Sequence, residues 1–121
     1  MDTGIWLNEL FRAIDSMSTK GFADFFTEDV KFQFGNTPPI RGRAAVEATV
    51  EGFFRSISAL RHTVQTHWTS GNTVICRGTV CYRRLDGSEV SVPFANITER
   101  TGEQIHDYRI FVDISPLSSQ R

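Results

Sequence analysis

The chain has 121 residues, the size of one domain built around one core. Thirteen Lys and Arg against fourteen Asp and Glu leave a net charge of -1, which offers no footprint for nucleic-acid phosphates or an acidic membrane surface. Hydrophobic residues make up 40% and charged residues 22%, ordinary globular values, and no apolar run approaches the roughly 20 residues that span a bilayer. A compact globular protein follows, without nucleic-acid or membrane partners. Phenylalanine is over-used: ten Phe stand against five Leu, so the core or a pocket is lined largely by flat rings.

Met1 to Lys20 lacks a basic stretch followed by an apolar one, and reads as an amphipathic helix rather than a signal peptide, which implies a cytoplasmic protein. Within it Trp6, Leu10, Ile14 and Met17 recur at helical spacing, with Asp2 or Thr3 available as N-cap. Ser18 and Thr19 cap a short second helix carrying Phe22, Phe25 and Phe26 and ending near Glu28 and Asp29; Val30 to Phe34 then alternates as a strand. Gly35-Asn36-Thr37-Pro38-Pro39 breaks the chain, and Gly42 opens a third helix with Val46, Val50, Phe53, Phe54 and Ile57 on one side.

Past about residue 60 the apolar period falls from 3.6 to 2. Leu60 to Trp68, Thr73 to Arg84, Glu89 to Thr98 and Gln104 to Ile114 read as strands joined by tight turns, and consecutive hairpins make an antiparallel meander. Helices first and a meander afterwards is the α+β pattern, three helices covering one face of a curved sheet.

Strand parity sorts the faces. Val74, Cys76, Gly78, Val80 and Tyr82 point at the helices, as do Val90, Val92, Phe94 and Asn96 on the next strand and His106, Tyr108, Ile110 and Val112 on the last. On Leu60 to Trp68 the inward set is His62, Val64, Thr66 and Trp68, provided the hairpin loop is the three residues Ser70, Gly71 and Asn72; a two- or four-residue loop selects His67 instead. Polarity favours His62. Cys76 and Cys81 fall on opposite faces and do not pair, and no spacing of Cys, His or acidic residues proposes a metal site.

The inward polar groups are then His62, Thr66, Asn96, His106 and Tyr108, set among Phe32, Phe34, Val80, Phe94 and Ile110: an apolar cavity with a few polar groups, as small-molecule sites commonly are. Each has a structural reading as well. His62 is equally a core histidine, Tyr108 a packing ring, and His106 starts a strand beside a turn and is expected in solvent. Asn96 is the most pointed of them, because an amide buried in a Val and Phe strand costs roughly 1–3 kcal/mol unless something hydrogen-bonds it. Asp113 falls on the outer face, and no serine has a nucleophile-elbow context.

The segments FADFFTEDVKFQF, PPIRGRAAVEATVEGFF, RRLDGSEVSVPF and IHDYRIFVDISPL, in this order over about residues 4 to 117, resemble the SnoaL-like branch of the NTF2-like superfamily. The resemblance implies a cone-shaped α+β half-barrel enclosing a pocket, commonly in a homodimer packed through the sheet. It implies no single reaction, because the superfamily hosts isomerases, cyclases, epoxide hydrolases and proteins without chemistry. The acid and base positions of the epoxide hydrolases fall at Gly78, Val80 and Ile110, and the positions that hold their water at Phe32 and Phe34, so that chemistry is not expected. The ketosteroid isomerase base maps to about Phe32 and the helix-one tyrosine to about Leu10; one oxyanion donor survives in kind, near Asn96. Tyr108 matches an aromatic pocket position, and Asp113 an acidic residue that closes the last strand.

The expectation is therefore a domain that binds a small, largely apolar organic molecule against Phe32, Phe34, Val80, Phe94, Asn96, Tyr108 and Ile110. Any chemistry is cofactor-free proton transfer, with His62 as base and Asn96 or Tyr108 polarising a carbonyl. The alternative is an interaction domain whose cone is plugged by Phe32, Phe34 and Phe94 and whose outer sheet face, carrying Arg77, Thr79, Arg83 and Arg109, meets a second copy or another partner.

Overall fold

The computed structural model describes residues 2–118. Helix α1 (Thr3–Asp15) begins at Asp2, whose carboxylate accepts the Ile5 N–H at 3.1 Å, and its i, i+4 spacing buries Trp6, Leu7, Leu10, Phe11 and Ile14 along one stripe. Met17, at φ 59°, takes the left-handed conformation that closes a helix, immediately past Asp15 and Ser16. Ser18 caps α2 (Thr19–Ala23), which ends well short of Glu28. Phe25 and Phe26 continue the helical spacing in sequence, but Phe26 opens strand β1 (Phe26–Phe34), where Phe26, Val30 and Phe32 are buried. A two-residue strand β2 (Ile40–Arg41) leads to α3 (Arg43–Arg55), entered through Gly42 at φ 97°.

The meander follows as β3 (Ala59–Ser70), β4 (Thr73–Arg83), β5 (Glu89–Thr101) and β6 (Gln104–Val112), with a terminal turn of helix, α4 (Ser115–Ser118). The sheet order is β2-β1-β6-β5-β4-β3. The meander pairs antiparallel throughout, while β1 joins it parallel to β6, so the six-stranded sheet is mixed at one edge. Its two edge strands do not meet, and the helices cover one face of the open curve.

Two bulges reset the parity read from the sequence. The β3–β4 loop has two residues, Gly71 and Asn72, with Gly71 at φ 59° as a type II′ turn asks of its first central residue. Taken alone, that loop turns His67 inward, and His67 does pair with inward-facing Cys76; Gln65 is then an extra residue on β3, and beyond it His62 pairs with inward-facing Val80. Both histidines therefore share the helix-facing side, His62 half-buried deep in the cone and His67 exposed near the hairpin tip. Thr66 and Trp68, expected inside, pair instead with Arg77 and Ile75 of the outer face. Gly78 makes the bulge possible, since a Cβ there would strike the Thr63 carbonyl. A second irregularity at His106 throws that side chain into solvent and buries Ile105 in its place.

The core is continuous from Trp6 to Tyr108. Trp6 anchors the start of α1, donating its ring N–H to the Glu103 carbonyl at 3.1 Å beneath the Arg100 guanidinium, 4.5 Å from the ring centre.

Candidate functional site

The apolar residues of the core do not fill the cone. A cavity of about 540 Å³ remains between the sheet, the end of α1, α2 and α3, bounded by Phe22, Phe32, Phe34, Phe53, Phe54, Phe94 and a few aliphatic side chains. The aromatic rings brace one another around it: Phe22 meets Tyr108 edge-on at 5.8 Å, Phe34 meets Phe53 at 5.3 Å, and Phe53 meets Tyr82 at 5.8 Å. Exposed lining residues mark the mouth, namely Thr37, Pro38 and Pro39 from the β1–β2 turn and Thr49 on α3, with half-buried Ile114 on the other side. Ile114 leads into α4, which Arg84 holds by donating to two carbonyl oxygens, Leu117 at 3.0 Å and Pro116 at 2.8 Å.

The structure brings every proposed site residue to this one cavity: His62, Asn96, Phe32, Phe34, Val80, Phe94, Tyr108 and Ile110 all line it. Thr66 and His106 do not: the two-residue hairpin loop sets Thr66 on the outer face, and the irregularity on β6 turns His106 outward. Asp113 lies in solvent, where hydrogen bonds from Ser115 hold its carboxyl below the ordinary aspartate value. Cys76 and Cys81 are both free thiols. Among the described residues no group of three or more His, Cys, Asp or Glu is placed to hold a metal ion.

The polar equipment forms two groups. In the first, Asp15 grips His62 twice: its Oδ1 lies 2.7 Å from Nδ1 of the ring and its Oδ2 accepts the His62 backbone N–H at 2.9 Å. With Asp15 ionised, the proton of the neutral ring sits on Nδ1 and the lone pair on Nε2, for which the described residues supply no partner. Phe11 stacks against the ring at 4.7 Å and Phe94 meets it edge-on at 5.1 Å, so its orientation is fixed by packing as well as by the carboxylate. The side chains are 11% and 24% exposed for His62 and Asp15. An imidazole held at Nδ1, unpartnered at Nε2 among the described residues, and lining an apolar cavity is an arrangement that suits a general base.

Asp15 was absent from the sequence reading. Its partner lies 47 residues away, but one local signal exists: a carboxylate in the last position of a helix opposes the helix dipole and needs a compensating donor.

The second group is Asn96 and Tyr108. Asn96 Nδ2 donates to the Tyr108 hydroxyl at 3.3 Å, while Asn96 Oδ1 has no partner although buried. Burial holds the Tyr108 phenol well above its ordinary pKa, and the nearby Cys76 adds to this, so the hydroxyl keeps its proton at all ordinary pH. The Cys76 thiol is itself pushed up to about 12 by burial, opposed in part by the Asn96 backbone N–H, and is inert as a nucleophile. The sequence offers Asn96 as the oxyanion donor; in the structure one N–H of its amide goes to the Tyr108 oxygen, and the Tyr108 O–H stands beside it as a further donor. By strand register, Asn96 stands two inward positions beyond the row of His62, Val80 and Val92, about 13 Å along the strand.

No curated protein matches the sequence. Solved structures share its fold at low identity: an NTF2-like protein of unknown function from Burkholderia pseudomallei (14% identical, 97% of this chain and 95% of that one, TM-score 0.83), a protein with a ketosteroid isomerase-like fold from Catenulispora acidiphila in complex with trimethylamine (15%, 94% and 89%, 0.84), and a proposed SnoaL-like polyketide cyclase from Jannaschia sp. (16%, 93% and 88%, 0.75). A family model described as the SnoaL-like domain matches residues 7–108. With its fold and most of its length so matched, the chain belongs to the SnoaL-like family.

Proposed function

We propose that this protein binds a small, neutral, largely apolar carbonyl compound and moves a proton on it without a cofactor, in an isomerisation or cyclisation. The observation that carries the reading is the Asp15–His62 pair, whose imidazole lines a cavity of about 540 Å³ and whose Nε2 has no partner among the described residues. Among the described residues no Lys, Arg, Asp or Glu lines that cavity, so a carboxylate or phosphate would enter without a counter-charge, and neutral ligands are favoured. His62 takes the proton and Asp15 holds the ring and stabilises the imidazolium, while the Tyr108 O–H and Asn96, farther along the sheet, hold a second polar group of the ligand. Phe32, Phe34, Val80, Phe94 and Ile110 provide the apolar walls.

The test is exchange of the α-protons of 2-tetralone, a neutral bicyclic ketone, in deuterated buffer followed by NMR. The protein should accelerate exchange above buffer, and His62→Gln should reduce that acceleration by about a hundredfold. No acceleration by the native protein would remove this reading.

The alternative of an interaction domain requires a plugged cone, and the open cavity weighs against it. The homodimer is a separate proposal, and the outer sheet face supports it. Trp68 and Phe111 are 49% and 45% exposed there, and strand register aligns them with Ile75, Ile97 and Ala95 between Arg77 and Arg109. Such a strip suits a second copy of the chain. A monomeric mass in sedimentation would refute it.

A further inference from the structure

Tyr82, on β4, lines the cavity and is 2% exposed, yet its hydroxyl makes no hydrogen bond among the described residues. The side chains beside it have none to offer: Leu60 stands opposite on β3, Val90 opposite on β5, and Phe53 of α3 meets the ring edge-on at 5.8 Å. A polar atom sealed in an interior without a partner is rare, because it loses its hydration and gains nothing in return. Among the described residues the one such sealed side-chain atom is Asn96 Oδ1, so the Tyr82 oxygen, equally unpartnered, keeps surface that a small group can reach. Burial pushes the phenol up to about 12, with no charge or hydrogen bond contributing, so the hydroxyl holds its proton at neutral pH and has it free to share.

Strand register sets this donor beside the base. His62 pairs with Val80, and Tyr82 is the next residue of β4 on the same face, a diagonal cross-strand neighbour of His62 at about 7–8 Å, within reach of long side chains. The other cavity hydroxyls stand elsewhere. Thr37 donates to the Phe34 carbonyl at 2.6 Å, Thr49 is exposed at the mouth, and Tyr108 pairs with Thr98, three inward positions beyond the row of His62. An enolising ketone needs its base and its oxygen donor no more than about 8 Å apart, one hydrogen bond of about 3 Å on either side of a C–C=O unit. Resting on the proposal that His62 draws a proton from a carbonyl compound, we infer that Tyr82 is a further catalytic residue, whose O–H hydrogen-bonds the carbonyl oxygen while His62 works at the adjacent carbon. As Nε2 takes the proton, the C–H bond pair becomes the C=C bond of an enolate and the C=O π pair moves onto oxygen. The Tyr82 O–H steadies that charge without giving up its own proton, and the imidazolium returns a proton to carbon. The carbonyl is thereby turned toward Phe53, leaving the cavity toward Asn96 and Tyr108 for the rest of the molecule.

Infrared spectra of bound 2-tetralone test this separately from the base. The C=O band in the native protein should lie below its position in hexane. Tyr82→Phe should return the band to that position, lower kcat for α-proton exchange about a hundredfold and change KM by less than about fivefold. Tyr82 and Tyr108 are the only tyrosines, so a band still lowered in Tyr108→Phe decides for Tyr82 if Tyr82→Phe does not fold. An unlowered band in the native protein, a band or kcat unmoved in Tyr82→Phe, or a band that rises in Tyr108→Phe, overturns the inference and leaves His62 to be judged by its own variant. Absence of exchange by the native protein overturns both.

Discussion

Replacing Asp15 by Asn separates the shape of the Asp15–His62 pair from its chemistry. The amide retains both contacts geometrically: its oxygen accepts the His62 backbone N–H, now at 2.9 Å to Oδ2, and its NH2 faces Nδ1, now at 2.7 Å from Oδ1. An NH2 cannot accept a proton from Nδ1, so the ring must carry its hydrogen on Nε2. The lone pair moves from the cavity side to the Asn side, and the base becomes a donor. Two charge-assisted bonds become neutral ones, a loss of about 1 kcal/mol each, lessened because the carboxylate is 24% exposed. Removing a negative charge from the last position of α1 returns about 0.3–1 kcal/mol of helix-dipole repulsion. The net loss is about 1–2 kcal/mol, which urea denaturation resolves easily. Long-range nitrogen–proton NMR of the imidazole should show Nδ1 protonated in the native protein and Nε2 protonated in Asp15→Asn, with ketone exchange falling about a hundredfold or more. An unchanged tautomer in a folded variant would refute the base assigned to His62.

Two further outcomes follow from the packing. Gly78→Ala places a Cβ against the Thr63 carbonyl, with the Thr63 carbonyl carbon at 2.9 Å and Val64 Cα at 3.0 Å; since backbone must move, the variant should lose about 3 kcal/mol or more in urea denaturation, and a loss under about 1 would show that the β3 bulge is not held by this contact. In alkali, burial raises Tyr82 from 10.0 to about 12 and Cys76 from 9.0 to about 12, so the folded state keeps protons that the unfolded state releases. Stability is then undiminished below about pH 9 and falls as pH rises toward 12, by up to about 1.4 kcal/mol per pH unit for each such group. Urea midpoints across that range should fall, and less steeply in Tyr82→Phe; parallel curves would refute the assignment to Tyr82.

Period and capping made α1, α3 and the four meander strands legible, because each buries one clean face. Counting by twos along β3 failed at Gln65, and along β6 at His106, because an extra residue leaves no mark on composition. Two errors cancelled at His62: the loop is shorter than the one that keeps it inside, and the bulge turns it back. The parallel pairing of β1 with β6 joins residues 76 to 79 positions apart, beyond the reach of local spacing. Asn96 was readable as a buried amide needing a partner, yet which of its two polar atoms is spare depends on where Tyr108 directs its hydroxyl, a matter of tertiary packing.

The grip of Arg84 on α4 bears on how such a pocket changes over generations. Its two bonds to that turn go to the main-chain oxygens of Pro116 and Leu117, which every amino acid possesses. Side chains beside the mouth, Ile114 among them, are therefore free to vary in bulk and polarity while the strap that carries them stays tied down. Anchoring through the backbone uncouples what the entrance admits from whether the entrance holds its shape, so new ligands can be explored at the rim before any residue of the interior is altered.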